Sequence, residues 1–378
     1  PFEEAPCPFE APEGQTVECG FVAVPEDRAD PDSRDIRLAV AIFRHPDGAP
    51  EPDPIIYLEG GPGGSVLEFI DLTFDLTQKP VWEANRDIVV FDQRGVGLSE
   101  PALDCPGVIE LSRELLDSEI DGEKLSDEEM YDRTLEEILA CRDELSAVAD
   151  LSAYNTSENA ADVEDLRRAL GYDEVNLWGI SYGTRLALTT MRDHPEGIRS
   201  VVLDSTVPPQ LDLIAGVPFS ADRSFDTFFA SCAADTRCAE AYGDVGQTFL
   251  DLEASLDTTP AEITIDNFVT EESYPAVITG DRLYGLLFQS LYAEDIIILL
   301  PDIFTDALAG DYGGLERLAS VMFTNDDFFT LGMYLSVQCN EEYPFSTVDD
   351  VEAALADHPD VANLFGNTEG EFADCDLW

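Results

Sequence analysis

The chain has little positive charge. Of its 378 residues, 20 are lysine or arginine and 79 are aspartate or glutamate, so the formal net charge is −59. Its only lysines are Lys79 and Lys124. A polyanion of this kind repels nucleic acid and anionic membranes, which argues against both as partners. The charge also favours adaptation to a salty medium, where screening is short-ranged, although a secreted acidic protein without that adaptation would have a similar composition.

Long apolar runs are also missing. The most apolar run, residues 296–300, is far shorter than the roughly 20 residues that cross a bilayer, so no membrane span is predicted. The chain begins with Pro1 and shows no basic-then-apolar signal, and we expect a processed form or a fragment. Hydrophobic residues make up 44% of the chain, which is enough for a buried core in one large α/β domain or in two domains.

Histidine is scarce, with 3 residues, and the 8 cysteines form no Cys-x-x-Cys pair. A metal cluster is therefore not expected, and no cofactor is predicted. The even cysteine count favours disulfides in an oxidising, extracytoplasmic compartment over buried free thiols in the cytosol. Of the many possible connectivities, local pairing is the one we predict: Cys7 with Cys19, Cys105 with Cys141, Cys232 with Cys238, and Cys339 with Cys375.

The first half of the chain alternates strand and helix patterns. Residues 1–35 are rich in proline and acid and are interpreted as an opening segment, and 46–54 as a turn-rich connector. Residues 107–149 have an acidic helical pattern. Strands are predicted at 36–43, 55–58, 88–91, 175–178 and 201–203, and further helices at 156–170 and 182–193. This alternation predicts an α/β fold with a mostly parallel sheet and helices on both faces.

The pattern changes near residue 208. Beyond it the sequence shows helical periodicity, many aromatic residues and few sheet-core runs. We interpret residues 1–207 as the N-terminal part of the core, and 208–378 as an inserted helical cap that leads back toward the core. A separate all-helical domain is the alternative.

Residues 176–184, Asn-Leu-Trp-Gly-Ile-Ser-Tyr-Gly-Thr, predict a short strand, a sharp turn and a helix that begins near Tyr182. In this context the Gly-x-Ser-x-Gly spacing is typical of the nucleophile elbow of an α/β-hydrolase. Gly179 and Gly183 would let the strand and the helix approach closely. Ser181 is the candidate nucleophile, and the N–H of Tyr182 is a candidate donor to the oxyanion. A glycine–serine turn without catalytic function is the alternative.

A glycine-rich loop, Glu-Gly-Gly-Pro-Gly-Gly-Ser at 59–65, follows the strand at 55–58 directly. Ligand sites of open α/β sheets lie at the carboxyl ends of the strands, so we expect this loop to supply the second oxyanion donor. Gly61 is the first candidate and Gly64 the second, because Pro62 has no N–H. The loop lacks the Gly-x-Gly-x-x-Gly spacing of a dinucleotide site.

Three segments in order resemble the signatures of the proline iminopeptidase and tripeptidyl aminopeptidase group of α/β-hydrolases. They are Glu-Gly-Gly-Pro-Gly at 59–63, Phe-Asp-Gln-Arg-Gly-Val-Gly-Leu-Ser at 91–99, and Gly-Ile-Ser-Tyr-Gly at 179–183. Segments 337–342 and 375–378 are similar to the secreted tripeptidyl type, so the resemblance covers essentially the whole chain. Glu59 departs from the family, in which many members carry histidine. We expect this difference to tune the loop and to leave the oxyanion hole intact.

The resemblance implies a secreted serine hydrolase that releases short peptides from a free amino terminus through an acyl-enzyme on Ser181. Such an enzyme needs an acid that binds the ammonium of the peptide substrate, and Glu341 and Glu342 are the candidates by position. In a chain with 79 acidic residues, a solvated acidic face is the alternative for this pair. An esterase-type acyl hydrolase and a non-catalytic peptide-binding pseudoenzyme are the competing functions.

The remainder of a catalytic triad is not evident. In this fold the acid and then the histidine follow the serine along the chain. His45 precedes Ser181 and is expected at the surface, His194 ends the next helix, and His358 lies in predicted cap sequence. Asp204 ends a strand and is interpreted as support for the elbow helix. We expect the triad acid, the histidine and the final sheet strands to be missing, through truncation, through loss in a pseudoenzyme, or because a second chain supplies them. The chain alone should then be catalytically crippled.

Overall fold

The structure, a computed structural model, describes residues 1–12, 14–46, 50–70, 84–120, 123–324 and 328–378. Residues 47–49 of the predicted connector and residues 121–122 of the predicted helical stretch lie outside these ranges.

The strands form one large sheet and two short hairpins. In chain order they are β1 (Phe2–Ala5), β2 (Thr16–Pro25), β3 (Asp35–Arg44), β4 (Glu51–Leu58), β5 (Arg86–Phe91), β6 (Glu119–Ile120), β7 (Glu123–Lys124), β8 (Val175–Ile180), β9 (Ile198–Asp204), β10 (Ala261–Asp266) and β11 (Ser273–Ile278). The large sheet has the order β1-β2-β3-β5-β4-β8-β9. The hairpins are β6 with β7 and β10 with β11.

The site-bearing half of the sheet is parallel. Strands β5, β4, β8 and β9 run in one direction, whereas β1, β2 and β3 add to β5 in antiparallel order. Residues 55–58 of β4 are all buried, as a strand in the middle of an α/β sheet requires. Two sequence expectations need correction. Residues 1–35 contain β1 and β2, and β4 begins at Glu51, inside the predicted connector.

Helices of the first half flank this sheet and the loops at its carboxyl edge. They are α1 (Pro106–Glu114), α2 (Asp127–Ser146), α3 (Thr156–Ala169) and α4 (Tyr182–Asp193), with 3-10 turns at Leu67–Phe69, Leu115–Asp117 and Leu151–Ala153. The packing of α3 against α4 brings apolar residues such as Leu166 and Leu186 into the core beneath β4 and β8. The predicted stretch 107–149 is therefore two helices, separated by a 3-10 turn and the β6–β7 hairpin.

The second half of the chain is mainly helical. Its helices are α5 (Leu213–Ala234), α6 (Thr236–Tyr242), α7 (Val245–Thr258), α8 (Gly280–Ser290), α9 (Glu294–Ile297), α10 (Leu300–Leu308), α11 (Gly313–Thr324), α12 (Leu331–Glu341), α13 (Val348–Asp357) and α14 (Thr368–Leu377). Two further 3-10 turns span Tyr343–Phe345 and Pro359–Leu364. A separate apolar core, with Phe249 and Phe304 fully buried, holds α5 to α11 together. The β10–β11 hairpin within it was not expected from a helical cap. The boundary at 207 stays a prediction.

Helix α12 carries the chain back to the sheet. Met333 and Val337 are buried in one cluster with Val96, Leu103 and Tyr182 from the first half. The N–H of Gly332 donates to the carbonyl of Leu103 at 3.0 Å. Helix α12 therefore packs against Tyr182, the residue that follows the candidate nucleophile.

Four disulfides link the chain. They are Cys7–Cys19, Cys105–Cys141, Cys232–Cys238 and Cys339–Cys375, which is the predicted local pairing. The described residues contain no free cysteine. Disulfides of this number are consistent with an oxidising compartment. In the part of the chain that the structure describes, every helix is too short or too polar to cross a bilayer.

Candidate active site

Ser181 occupies the turn between β8 and α4. Its φ of 53° and ψ of −123° lie in a region that costs a non-glycine residue about 1–3 kcal/mol. The turn is held because the N–H of Ser181 donates to the carbonyl of Asp204 at 3.0 Å and β8 pairs with β9 along its length. Strain of this kind turns the serine side chain out of the strand and to the carboxyl edge of the sheet.

Two glycines make the turn possible. A Cβ added to Gly183 would overlap the carbonyl oxygen of Leu58 in β4, and one added to Gly179 would overlap the carbonyl oxygen of Gly183. The first turn of α4 therefore packs directly on two strand backbones. This close approach is the reason that the sequence has glycine on both sides of Ser181.

The glycine-rich loop lies against the serine. A Cβ on Gly60 would be 3.0 Å from Cβ and 3.5 Å from Oγ of Ser181, so the side of Gly60 that lacks a side chain faces the serine. The N–H of Gly60 donates to Oε1 of Glu59 at 2.7 Å. The N–H of Gly64 donates to the carbonyl of Gly60 at 3.3 Å. Both groups are thus used within the loop.

Unlike those of Gly60 and Gly64, the N–H groups of Gly61 and Tyr182 are available. Among the described residues neither has a hydrogen-bond acceptor. Tyr182 begins α4, where backbone donors are free and the helix dipole is positive. Their availability favours Gly61 over Gly64 as the partner of Tyr182, and these oxyanion assignments stay predictions.

Residues before α12 support the loop from the other side. The N–H of Thr330 donates to the carbonyl of Gly63 at 2.8 Å, and that of Ser65 donates to the carbonyl of Phe328 at 2.9 Å. The ring of Phe329 lies 3.3 Å from the position of a Cβ on Gly61. The returning chain therefore fixes the loop and provides an aromatic wall beside the candidate oxyanion donor.

Asp92 anchors two loops at the carboxyl edge of the sheet. Its fully buried carboxylate accepts the N–H groups of Val66, Leu67 and Leu98 at 2.9–3.0 Å. Burial, together with the neighbouring Glu59 carboxyl, raises the pKa of Asp92 to about 6, although the three backbone donors lower it. The Asp of the 91–99 motif is thus a structural clamp behind the glycine-rich loop.

Arg94 of the same motif is also fully buried. Its guanidinium forms two parallel hydrogen bonds with Asp162 on α3, at 2.7 and 2.8 Å, and donates to the carbonyls of Glu26 and Ala153. A buried arginine of this kind is stable only because both ions are fully paired. It joins β2, α3 and the loop after β5.

The structure places Glu341 and Glu342 beside the elbow helix, each with a protein partner. Both oxygens of Glu341 accept hydrogen bonds from Thr156, from its N–H and its Oγ1, each at 2.5 Å. Thr156 Oγ1 in turn lies 2.8 Å from the hydroxyl of Tyr182. Glu342 forms a buried ion pair with Arg185. These contacts give both carboxylates a structural role, and their binding of a substrate ammonium stays a prediction.

None of the histidines contacts the candidate nucleophile in the described residues. His45 is buried, against the expectation of a surface position, and its N–H donates to Asp87. His194 ends α4. His358 Nδ1 lies 2.6 Å from Asp222 Oδ2, within the cap. No hydrogen bond joins Ser181 Oγ to another side chain in the same part of the chain.

The exposed edge of β9 lies next to the elbow. β9 is the last strand of the sheet, and Val202 on it is 58% exposed. The side chain of Asp204, at its end, has a long contact with Ser205, while its carbonyl holds the N–H of Ser181. This agrees with the interpretation of Asp204 as support for the elbow.

The comparisons with known proteins agree on the fold. Residues 53–277 match the family model described as alpha/beta hydrolase fold. The chain is 33% identical over 309 residues to the tripeptidyl aminopeptidase of Streptomyces lividans, across 80% of this chain and 56% of that protein. It is 30% identical over 244 residues to the serine protease Hip1 of Mycobacterium tuberculosis (strain ATCC 25618 / H37Rv), across 63% of this chain and 46% of Hip1. The chain thus spans about half the length of these curated relatives.

Among solved structures, the proline iminopeptidase-related protein of Thermus thermophilus is 18% identical with a TM-score of 0.29, over 55% of this chain and 50% of that one. Because the family model covers more than half of the chain, and the strand–elbow–helix geometry agrees with it, this protein belongs to the α/β-hydrolase fold family.

Proposed function

We propose that the protein is a serine hydrolase of the aminopeptidase type, which cleaves short peptides from a free amino terminus through an acyl-enzyme on Ser181. The observation that carries the proposal is the strained elbow at Ser181, together with the N–H groups of Gly61 and Tyr182, for which the described part of the chain provides no acceptor. The similarity to a tripeptidyl aminopeptidase and to a serine protease supports a peptide substrate.

The chemistry follows from these positions. A base removes the proton of Ser181 Oγ as the oxygen attacks the scissile carbonyl, and the carbonyl oxygen takes up the electron pair. The N–H groups of Gly61 and Tyr182 would stabilise that oxyanion. Collapse of the intermediate expels the amine, which takes the proton from the base, and water then releases the acyl group by the reverse sequence.

We propose that the acid and the base of the triad come from a segment that is not among the described residues. Such a segment, from a longer chain or from a second one, would add to the exposed edge of β9 and so reach Ser181. Among the described residues no strand pairs with this edge of β9, and Val202 on it is exposed, which suits strand addition.

A cavity of about 730 Å³ reaches Phe329, whose ring lies next to Gly61, although neither Ser181 nor residues 59–65 line it. Phe329 lines it, and carboxylates outnumber the single arginine among its wall residues, which include Glu68, Asp104, Glu110 and Arg113. An anionic wall suits a peptide with a free ammonium better than a neutral ester. Glu341 and Glu342 do not line this cavity, and the proposal that they bind the ammonium is a separate one. It predicts that Glu341→Gln weakens binding of free peptides and not of N-acetylated ones; Glu342→Gln is the weaker test, because it also removes the partner of Arg185.

A fluorophosphonate probe followed by peptide mapping tests the function. Labelling at Ser181 that Ser181→Ala abolishes would show an activated serine. Peptide anilides with free and acetylated amino termini, compared with a simple ester, then separate an aminopeptidase from an esterase. Because the acid and the base are proposed to lie in another segment, the probe is applied with that segment present. A folded protein that then stays unlabelled, and that binds peptides with unchanged affinity after Ser181→Ala, would support the peptide-binding pseudoenzyme instead.

A further inference from the structure

The side chain of Glu59 folds back onto the backbone of its own loop. Oε1 accepts the N–H of Gly60 at 2.7 Å, and Oε2 accepts the hydroxyl of Tyr57 at 2.9 Å. The carbonyl of Glu59 accepts Nε2 of the buried Gln93 at 2.9 Å. Its Cγ lies 3.0 Å from the position of a Cβ on Gly64. Glu59 is therefore fixed from its own strand, from the loop after β5, and from the loop that it precedes.

This arrangement occupies some of the backbone donors of the loop and leaves others available. The hydrogen bond to Glu59 uses the N–H of Gly60, the residue whose open side faces Ser181. The hydrogen bond from Gly64 to the carbonyl of Gly60 uses the N–H of Gly64. The N–H of Gly61 is then the loop donor next to Gly60 that has no acceptor among the described residues. A loop that lost the Glu59 contact could turn Gly60 toward the serine instead.

We propose that Glu59 is a positioning residue for the oxyanion loop, which holds Gly60 against Ser181 so that the N–H of Gly61 stays available to the oxyanion. Glu59 acts through Gly60 and does not touch the reacting atoms. The role rests on the proposed function, because an oxyanion loop has meaning only if Ser181 is a nucleophile. The hydrogen bond itself can be measured without any catalysis.

The charge of Glu59 gives the role a pH dependence. Burial raises the pKa of Glu59, while its bonds with Gly60 and Tyr57 lower it and only partly offset the burial. The titratable groups that face it are Tyr57 on β4 and Asp92 after β5, and Asp204 at the end of β9 faces Tyr57. None of them is a cation. A proton on Glu59 removes a negative charge beside the oxyanion site, so stabilisation of the oxyanion should weaken as Glu59 ionises.

Selective isotope labelling can observe the Gly60 amide directly. The sequence has four Glu–Gly pairs, at 13–14, 59–60, 196–197 and 369–370. Labelling glutamate with ¹³C at the carbonyl and glycine with ¹⁵N restricts the spectrum to these four amides, and Glu59→Gln removes the Gly60 signal from that set and so assigns it. Gly370 provides an internal control, because its N–H donates to Asn367 and not to a glutamate.

The full chain is titrated as wild type and as Glu59→Gln, Glu59→Ala and Tyr57→Phe, with Glu369→Gln as the matched control. We expect the wild-type Gly60 signal to move with a midpoint above about 4.3, the ordinary glutamate value. Tyr57→Phe should raise that midpoint, because it removes a donor to the ionised form.

Under ¹⁵N-glycine labelling alone, Glu59→Gln should hold the Gly60 signal constant with pH. Glu59→Ala should speed hydrogen exchange at Gly60 by about tenfold or more. Glu369→Gln should change none of these.

A Gly60 signal that does not titrate in the wild type, or an exchange rate that Glu59→Ala leaves unchanged, would overturn the proposal. If Glu59→Ala does not fold, Glu59→Gln and Tyr57→Phe still decide it. The second readout is the fluorophosphonate rate at Ser181, measured with the segment that carries the base present and expressed at each pH as the ratio of wild type to Glu59→Gln. This ratio cancels the titration of the base, and it should fall as Glu59 ionises. Absence of labelling in every variant even with that segment present, while the amide behaves as expected, would contradict the proposed hydrolase and leave the positioning of the loop supported.

Discussion

Arg185 and Glu342 form an ion pair that is buried on both sides, with side chains 7% and 6% exposed. Arg185 lies in the first turn of α4, and Glu342 directly follows α12. The pair therefore joins the helix that carries the candidate nucleophile to the chain that returns from the cap.

Glu342→Gln should lower the free energy of unfolding by about 3–5 kcal/mol, since it removes the carboxylate that pairs directly with the buried Arg185 guanidinium and leaves only the nearby charge of Glu341. Replacing both residues together, by Arg185→Met and Glu342→Leu, should cost clearly less than the single change, because no charge then stays unpaired. Urea unfolding of the three proteins provides the measurement. The exposed Glu352→Gln on α13 is the control and should stay within about 0.5 kcal/mol of the wild type. Equal losses in the single and the double variant would contradict this account.

The glycines at the elbow predict a second contrast. Gly183→Ala should prevent folding or cost more than about 4 kcal/mol, because its Cβ overlaps the Leu58 carbonyl in a buried backbone that cannot move aside. Gly285→Ala lies inside α8 with no atom within 4 Å of the new Cβ, and it should stabilise the protein by about 1 kcal/mol. Thermal unfolding of both variants measures the difference. A well-folded Gly183→Ala protein would show that the elbow is looser than the structure describes.

How far the sequence predicts this molecule depends on the range of the interaction. The elbow was predictable because its requirement is local: two glycines at fixed spacing around a serine. The β10–β11 hairpin also has a local signal, since Ala261, Ile263 and Ile265 alternate with polar residues and are buried on one face, but the helical character of the region obscured it.

Contacts between distant segments were beyond sequence reasoning. Glu341 meets Thr156 across 185 residues, and adjacent glutamates in an acidic chain give no sign of which partner each will have. The role of Asp92 was missed for a similar reason, because its three donors come from two loops that only the sheet brings together. For Glu59 the sequence shows a departure from the family pattern, but only the three-dimensional structure shows its hydrogen bond with Gly60.

Asp92 should make stability depend on pH. Its pKa is raised to about 6 in the folded protein, against about 3.9 in an unfolded chain, so the folded state binds the proton more tightly between these values. Its contribution to stability is therefore complete below about pH 4, and about 3 kcal/mol of it is lost as the pH rises through about 6. The difference in unfolding free energy between wild type and Asp92→Asn should shrink by roughly this amount between pH 4 and pH 7, as followed by urea titrations. Asp376→Asn, at an exposed position on α14, should show a constant difference. A wild-type advantage that grows with pH would mean that the backbone donors outweigh burial.

The net charge of −59 predicts that salt stabilises the fold. At low ionic strength the carboxylates repel one another over distances comparable with the molecule, whereas at about 1 M salt the screening length is about 3 Å and only adjacent pairs interact. The unfolding midpoint should therefore rise with sodium chloride. Salt also weakens attraction in exposed ion pairs such as Arg37–Glu100. A fold stabilised mainly by such pairs would therefore lose stability as salt is added. Thermal unfolding in sodium chloride and in an osmotically matched sucrose series separates screening from a general solute effect. A midpoint that is flat or falling with salt, while sucrose raises it, would contradict salt adaptation and favour an acidic protein suited to ordinary ionic strength.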